Sequence, residues 1–107
     1  MRFARRKADS NHQDIIQGLE QWGASVLDLS AVGGGCPDLL VGWRNINLLV
    51  EVKRPGLEQV RKRGRRQAGT DQRQQTFAES WRGIPVLRAT TTEAVIQRLQ
   101  SLAGVYS

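Results

Sequence analysis

Hydrophobic positions along the chain follow two rhythms. Ile15, Ile16, Leu19 and Trp22 recur at three- and four-residue spacing, and Gly23 stands where such a helix would stop. This predicts a first helix over 11–22, opened by Asp9 or by Ser10 with Gln13 as a capping box. From Ser25 the rhythm shifts to alternation: Ser25, Leu27 and Leu29 interleave with Val26 and Asp28 in a first strand. Two apolar runs follow, Leu39 to Val41 and Ile46 to Val52, and Arg44-Asn45 between them has the composition of a hairpin turn.

The helical rhythm returns over 72–82. Asp71 with Gln74 reads as a second capping box, Phe77 and Trp81 share a face, and Gly83 stops the helix. A short strand at 85–89 leads to a third box, Thr90 with Glu93, and to a last helix ending near Ala103 that carries Val95, Ile96, Leu99 and Leu102. The order helix, three strands, helix, strand, helix predicts an α/β layered domain, a mixed sheet of about four strands with helices on both faces. Trp22, Phe77 and Trp81 are expected in the core. Trp43, near the hairpin tip, is harder to bury, which leaves it to stack on a base or sit in an interface.

With 107 residues, 39% of them hydrophobic, the chain is read as one domain, 1–107, with a basic arm at 1–8 and a basic loop at 56–70. No apolar run reaches membrane-spanning length and no secretory pattern opens the chain, so a soluble, cytoplasmic protein without membrane contact is expected. The single cysteine, Cys36, excludes an internal disulfide and a cysteine-cluster zinc site; it is read as a small packed thiol rather than a soft metal ligand. Gly33-Gly34-Gly35 lacks the Gly-Lys-Ser/Thr continuation of a nucleotide-phosphate loop and leads into a strand, so no nucleotide cofactor is expected. His12 is expected exposed and is assigned no role.

Charge narrows the partner. Five of the six net positive charges lie between Arg54 and Arg73, where Arg54, Arg61, Lys62, Arg63, Arg65, Arg66 and Arg73 outnumber Glu58 and Asp71. Arg2, Arg5, Arg6 and Lys7 form a second cluster. Such runs are often only solvated. Focused beside candidate hydrolytic residues, they instead point to phosphate-backbone contact, with DNA as the partner.

Those candidates are Asp38, Glu51 and Lys53. Strand alternation places Glu51 and Lys53 on one face with Val50 and Val52 on the other, and the hairpin brings Asp38 beside them. Two hard carboxylates suit Mg²⁺, with Mn²⁺ as its substitute. A cation so held stabilises charge on a phosphoryl oxygen and acidifies a water that the lysine can orient or deprotonate.

At these residues the sequence resembles the PD-(D/E)XK nuclease superfamily: Pro37-Asp38, then Glu51-Val52-Lys53 in a following apolar strand. Gly35 through Val41 and Val50 through Lys53 resemble the small stand-alone VRR-type nucleases, such as those of phages. The likeness extends to Asp9-Ser10-Asn11 and to Phe77 with Trp81-Arg82-Gly83. It implies a restriction-endonuclease-like core, with Asp38, Glu51 and the Val52 carbonyl as metal ligands and Lys53 as a catalytic residue. Gln74, or Gln75 beside it, corresponds to a catalytic glutamine early in a helix, although capping alone also explains Gln74. Asn11, Asp14 and Gly35 are candidates to line the site.

The expected function is a Mg²⁺-dependent DNA endonuclease, structure-directed toward branched, flap or junction DNA in replication or recombination, acting in the host cytoplasm if phage-encoded. The alternatives are a non-catalytic DNA-binding module on the same fold and a structural or assembly protein with a basic loop. A homodimer is expected, because one site holds one phosphodiester at a time and Trp43, Ile46, Val105 and Tyr106 offer apolar surface.

Overall fold

The computed structural model describes residues 7–54 and 68–106, with side chains described over 11–54 and 72–105. Its sheet is organised by a two-residue turn between β2 (Leu39–Trp43) and β3 (Ile46–Val52). Arg44 (φ 50°) and Asn45 (φ 66°) both take left-handed conformations, the pair required by a type I′ turn, whose twist matches the flanking strands. The turn sets the register from Trp43 opposite Ile46 to Leu39 opposite Val50. β1 (Ser25–Asp28) pairs antiparallel with β2, and β4 (Leu87–Ala89) parallel with β3, in the order β1-β2-β3-β4. A parallel neighbour needs a long crossover. That crossover carries α2 (Ala68–Ser80).

α1 (Lys7–Trp22) and α3 (Thr92–Tyr106) touch each other and cover one sheet face. Ile15 and Leu19 from α1 and Val95 and Leu99 from α3 close over Leu39, Val41, Ile46, Leu48 and Val50. Each such side chain contributes about 1.5–3 kcal/mol relative to exposure, so this layer dominates the packing. The helices cross closely at Gly18, where a Cβ would stand 2.7 Å from the Thr92 hydroxyl. On the opposite face Leu27, Leu40 and Leu49 lie in register across three strands, from 56% exposed at Leu27 to buried at Leu49. There α2 reaches Glu51 through Gln74.

The mixed four-strand sheet and the element order are as the sequence predicts; several boundaries and caps are not. α1 begins at Lys7, one turn before the predicted start, because Lys7-Ala8 continues a helix at little cost and Asn11 bonds β3 rather than capping. α2 begins at Ala68, so Asp71 lies inside it and Asp71 with Gln74 is not a capping box. α3 runs on to Tyr106, past the predicted end near Ala103, and is capped by Thr91, whose hydroxyl accepts from the Ala94 amide at 3.1 Å, and not by Thr90.

The aromatic expectations divide. Trp22 packs against the core, and Trp43 stacks on it at 4.4 Å between centroids, with Arg44 over the Trp43 ring, which leaves Trp43 half-buried within the chain itself. Trp81 is 46% exposed: α2 ends at Ser80, and the ring stacks on Phe77 instead of entering the core. Ile46, expected as surface, is buried, whereas Val105 is exposed. Among the described residues no helix is long and apolar enough to cross a membrane. Most of the arm and of the basic loop lies outside the described residues.

Candidate active site

β3 is flanked on both sides, which leaves Glu51 and Lys53 little access to water. They are the buried charged residues among those described, at 4% and 8% exposure. Burial of this kind is costly unless the charges are paired, and here one amide serves both. The Gln74 Nε2 donates to Glu51 Oε2 at 2.6 Å, while its Oε1 accepts from Lys53 Nζ at 2.9 Å. The Lys53 ammonium stands 3.9 Å from the same Glu51 oxygen. Gln75 points away and donates to Glu79 at 2.9 Å, so Gln74 is the glutamine at the site.

Asp38, just before β2, turns its Oδ2 onto the Val52 amide at 2.8 Å. Along an extended strand one residue's N–H and C=O point the same way, so the Val52 carbonyl is turned toward Asp38 as well. Lys53 is fixed by its backbone: its N–H donates to the Ala89 carbonyl at 2.8 Å and its own carbonyl accepts from Asn11 Nδ2 at 3.0 Å. Asn11 therefore ties α1 to the end of β3. Asp14 is exposed on α1 and makes no described hydrogen bond or ion pair to the site.

Gly35 is why α2 comes so near. At φ 88° it occupies backbone space that L side chains rarely enter, and a Cβ there would lie 2.6 Å from the Arg73 carbonyl oxygen. Gln74 follows Arg73, so this contact delivers the amide to Glu51. Arg54 is half-buried next to Lys53, and Arg73 is exposed on α2. Arg61, Lys62, Arg63, Arg65 and Arg66 lie outside the described residues.

Two placements differ from or go beyond what the sequence predicts. Arg88 pairs in register with Glu51 across β3 and β4. His12, expected exposed, has only 14% of its side chain accessible and sets Nε2 3.2 Å from Asp28 Oδ2. Burial works to raise the Asp28 pKa, but the Ser30 amide and hydroxyl and His12 outweigh it and hold the carboxyl below its ordinary value. The signal for Arg88 was its place in a strand parallel to β3, which depends on a register the sequence does not state.

Glu51 behaves as one of two crowded carboxylates. Burial and then the charge of Asp38 push its pKa up to about 7, against the opposing pull of Lys53 and Arg88. Asp38 thus adds to the cost of charging Glu51. A divalent cation relieves the same repulsion. Asp38 keeps Oδ1 and Glu51 keeps Oε1 free of described hydrogen bonds, so the donor set fits a hard cation held by two carboxylates and the Val52 carbonyl. Cys36 is half-buried, and among the described residues no group of three or more His, Cys, Asp or Glu side chains is gathered to hold a metal ion, so the protein's side-chain ligands at this site number two.

Comparison with known proteins adds no further constraint: the chain matches no protein-family model, no curated protein and no solved structure.

Proposed function

We propose that this chain is a divalent-metal-dependent DNA endonuclease with a restriction-endonuclease-like core. The observation that supports it most is the gathering of Asp38, Glu51 and Lys53, with both buried charges bridged by the Gln74 amide. A purely DNA-binding module gains nothing from two crowded carboxylates near phosphates, and they become useful once a cation is bound. Asp38, Glu51 and the Val52 carbonyl hold Mg²⁺, or Mn²⁺ in its place. The bound ion supplies charge stabilisation at a phosphoryl oxygen and lowers the pKa of a water.

The chain's own residues do the rest. Lys53, aimed by Gln74 and by its pinned backbone, orients the attacking water and sets positive charge against the phosphoryl group as a bond forms from water oxygen to phosphorus and the bond to the leaving sugar oxygen breaks. Gln74 keeps Glu51 and Lys53 from collapsing into a closed ion pair. Arg54 and Arg73 flank the site, and with Arg61 to Arg66 they hold the DNA backbone without reading sequence. Flap, junction and other branched DNA is the substrate class proposed, with the enzyme acting in the cytoplasm as a homodimer that places one site on each strand.

End-labelled branched and linear DNA incubated with Mg²⁺ or Mn²⁺ tests the reading. Cleavage should require the metal and should vanish in Asp38→Ala and Glu51→Ala, while metal-free DNA binding is kept or improved. Either variant cleaving within about tenfold of wild type, a barrier change near 1.4 kcal/mol, removes it from the site. Light scattering at twice the monomer mass supports the dimer. Monomer mass at every concentration, with strand cuts appearing independently, would leave a nickase.

A further inference from the structure

We propose that Arg88 binds a backbone phosphate adjacent to the scissile one, seating the cleaved strand in the groove between α2 and β4. This rests on the endonuclease reading above and names a contact outside the basic 54–73 segment. Register carries the placement. Arg88 is the β4 partner of Glu51, while Leu87 and Ala89 on either side of it pack toward the core. Side chains of directly paired residues share a face, so Arg88 stands on the site's face about 4.8 Å from the Glu51 backbone. Asp38 flanks Glu51 from β2 and Arg88 flanks it from β4. A phosphodiester centred on the carboxylates therefore has its strand continuing toward Arg88.

The Arg88 side chain is exposed, and no described carboxylate forms an ion pair with it at contact distance, so its fork is available to a ligand. It lines a groove of about 470 Å³ with Gln75, Ala78, Glu79, Pro85 and Val86. Ala78, Pro85 and Val86 give that groove an apolar wall suited to a sugar, and Arg88 gives it a bidentate phosphate donor. Glu79 is held by Gln75 one turn further along α2, and its charge marks the end at which a second phosphate is not accepted. The groove thus accepts one nucleotide beside the cut.

Single-turnover cleavage decides the matter. It is measured on DNA carrying one neutral methylphosphonate at each position around the cut, with wild type, Arg88→Ala and Arg88→Lys. Wild type should slow about tenfold or more at one position within a few nucleotides of the cut, in line with a charge-assisted hydrogen bond. Arg88→Ala should be slowed to a similar degree on ordinary DNA yet be insensitive to the methylphosphonate at that position, and Arg88→Lys should recover part of the rate. Mn²⁺ affinity by calorimetry should be unchanged in Arg88→Ala. Effects that multiply at every position, or an Arg88→Ala rate equal to wild type, overturn the phosphate contact alone. Loss of Mn²⁺ binding in Arg88→Ala also overturns it, because the arginine would then act through Glu51. A wild type that shows no metal-dependent cleavage overturns the contact and the endonuclease reading together.

Discussion

The Gln74 amide and the Glu51 carboxylate meet at 2.6 Å, although 23 positions separate them and one sits on a helix and the other on a strand. The glutamine's other end holds Lys53, so its removal frees two groups at once. Gln74→Ala should lower activity about 10–100-fold, as does removal of partners that orient metal ligands. Single-turnover rates against Mn²⁺ concentration separate weaker metal affinity from a slower chemical step. An unchanged rate would leave Gln74 as packing only.

Lys53 is fixed by hydrogen bonds to Ala89 and Asn11 at its backbone and to Gln74 at its tip. Lys53→Ala should therefore keep the fold and bind Mn²⁺ while losing cleavage. Calorimetric titration showing that metal binding disappears along with activity would move Lys53 from chemistry to support of the ligands.

The crowding of Glu51 by Asp38 has a sign that can be measured. A carboxyl whose folded pKa is raised from 4.5 to about 7 stabilises the fold when protonated. That contribution is complete below about pH 4.5 and is lost as pH rises through about 7. In the absence of metal, Tm of the wild type should fall relative to Glu51→Gln between about pH 5 and 7.5, and Mg²⁺ should stabilise the wild type increasingly over that window. Parallel curves for the two proteins would remove the strain assigned to the pair.

A methyl group at Gly35 tests how the helix is delivered. Gly35→Ala forces the backbone at Arg73 away and strains a left-handed residue. Activity should fall at least as far as in Gln74→Ala, with α1, α3 and the sheet intact by amide exchange, because the core lies on the other face. Wild-type cleavage in this variant would mean that Gln74 reaches Glu51 without the close approach.

For the basic segment, joint neutralisation of Arg61, Arg63, Arg65 and Arg66 should weaken binding to all DNA sequences alike. It should also flatten the slope of log K against log salt by about 0.9 for each duplex phosphate no longer neutralised. An unchanged slope would send the DNA path elsewhere, first to the N-terminal arm.

The hairpin and the convergence of Asp38, Glu51 and Lys53 were legible because they follow from alternation and from Arg44-Asn45, both local properties of the chain. Helix starts were less so. Ser10 with Gln13 and Asp71 with Gln74 have the spacing of capping boxes, yet that spacing also occurs inside helices whose polar side chains bond elsewhere, as Asn11 and Gln74 do. His12 with Asp28 and Arg88 with Glu51 were invisible for a different reason. Each is a contact between elements, created by a register or a helix docking that no single stretch encodes.

The type I′ turn carries a further consequence, one of parity. Face assignment along β3 is a matter of odd and even, and the count starts at Arg44-Asn45. One residue added between Leu48 and Val50 turns Glu51 and Lys53 into the layer under α1 and α3 and sends Val50 and Val52 toward Gln74. A second added residue restores the face but carries the pair about 6.8 Å beyond Asp38. Many β3 residues can change identity without moving the pair, but their number between the turn and Lys53 decides whether Glu51 and Lys53 meet Asp38 and Gln74.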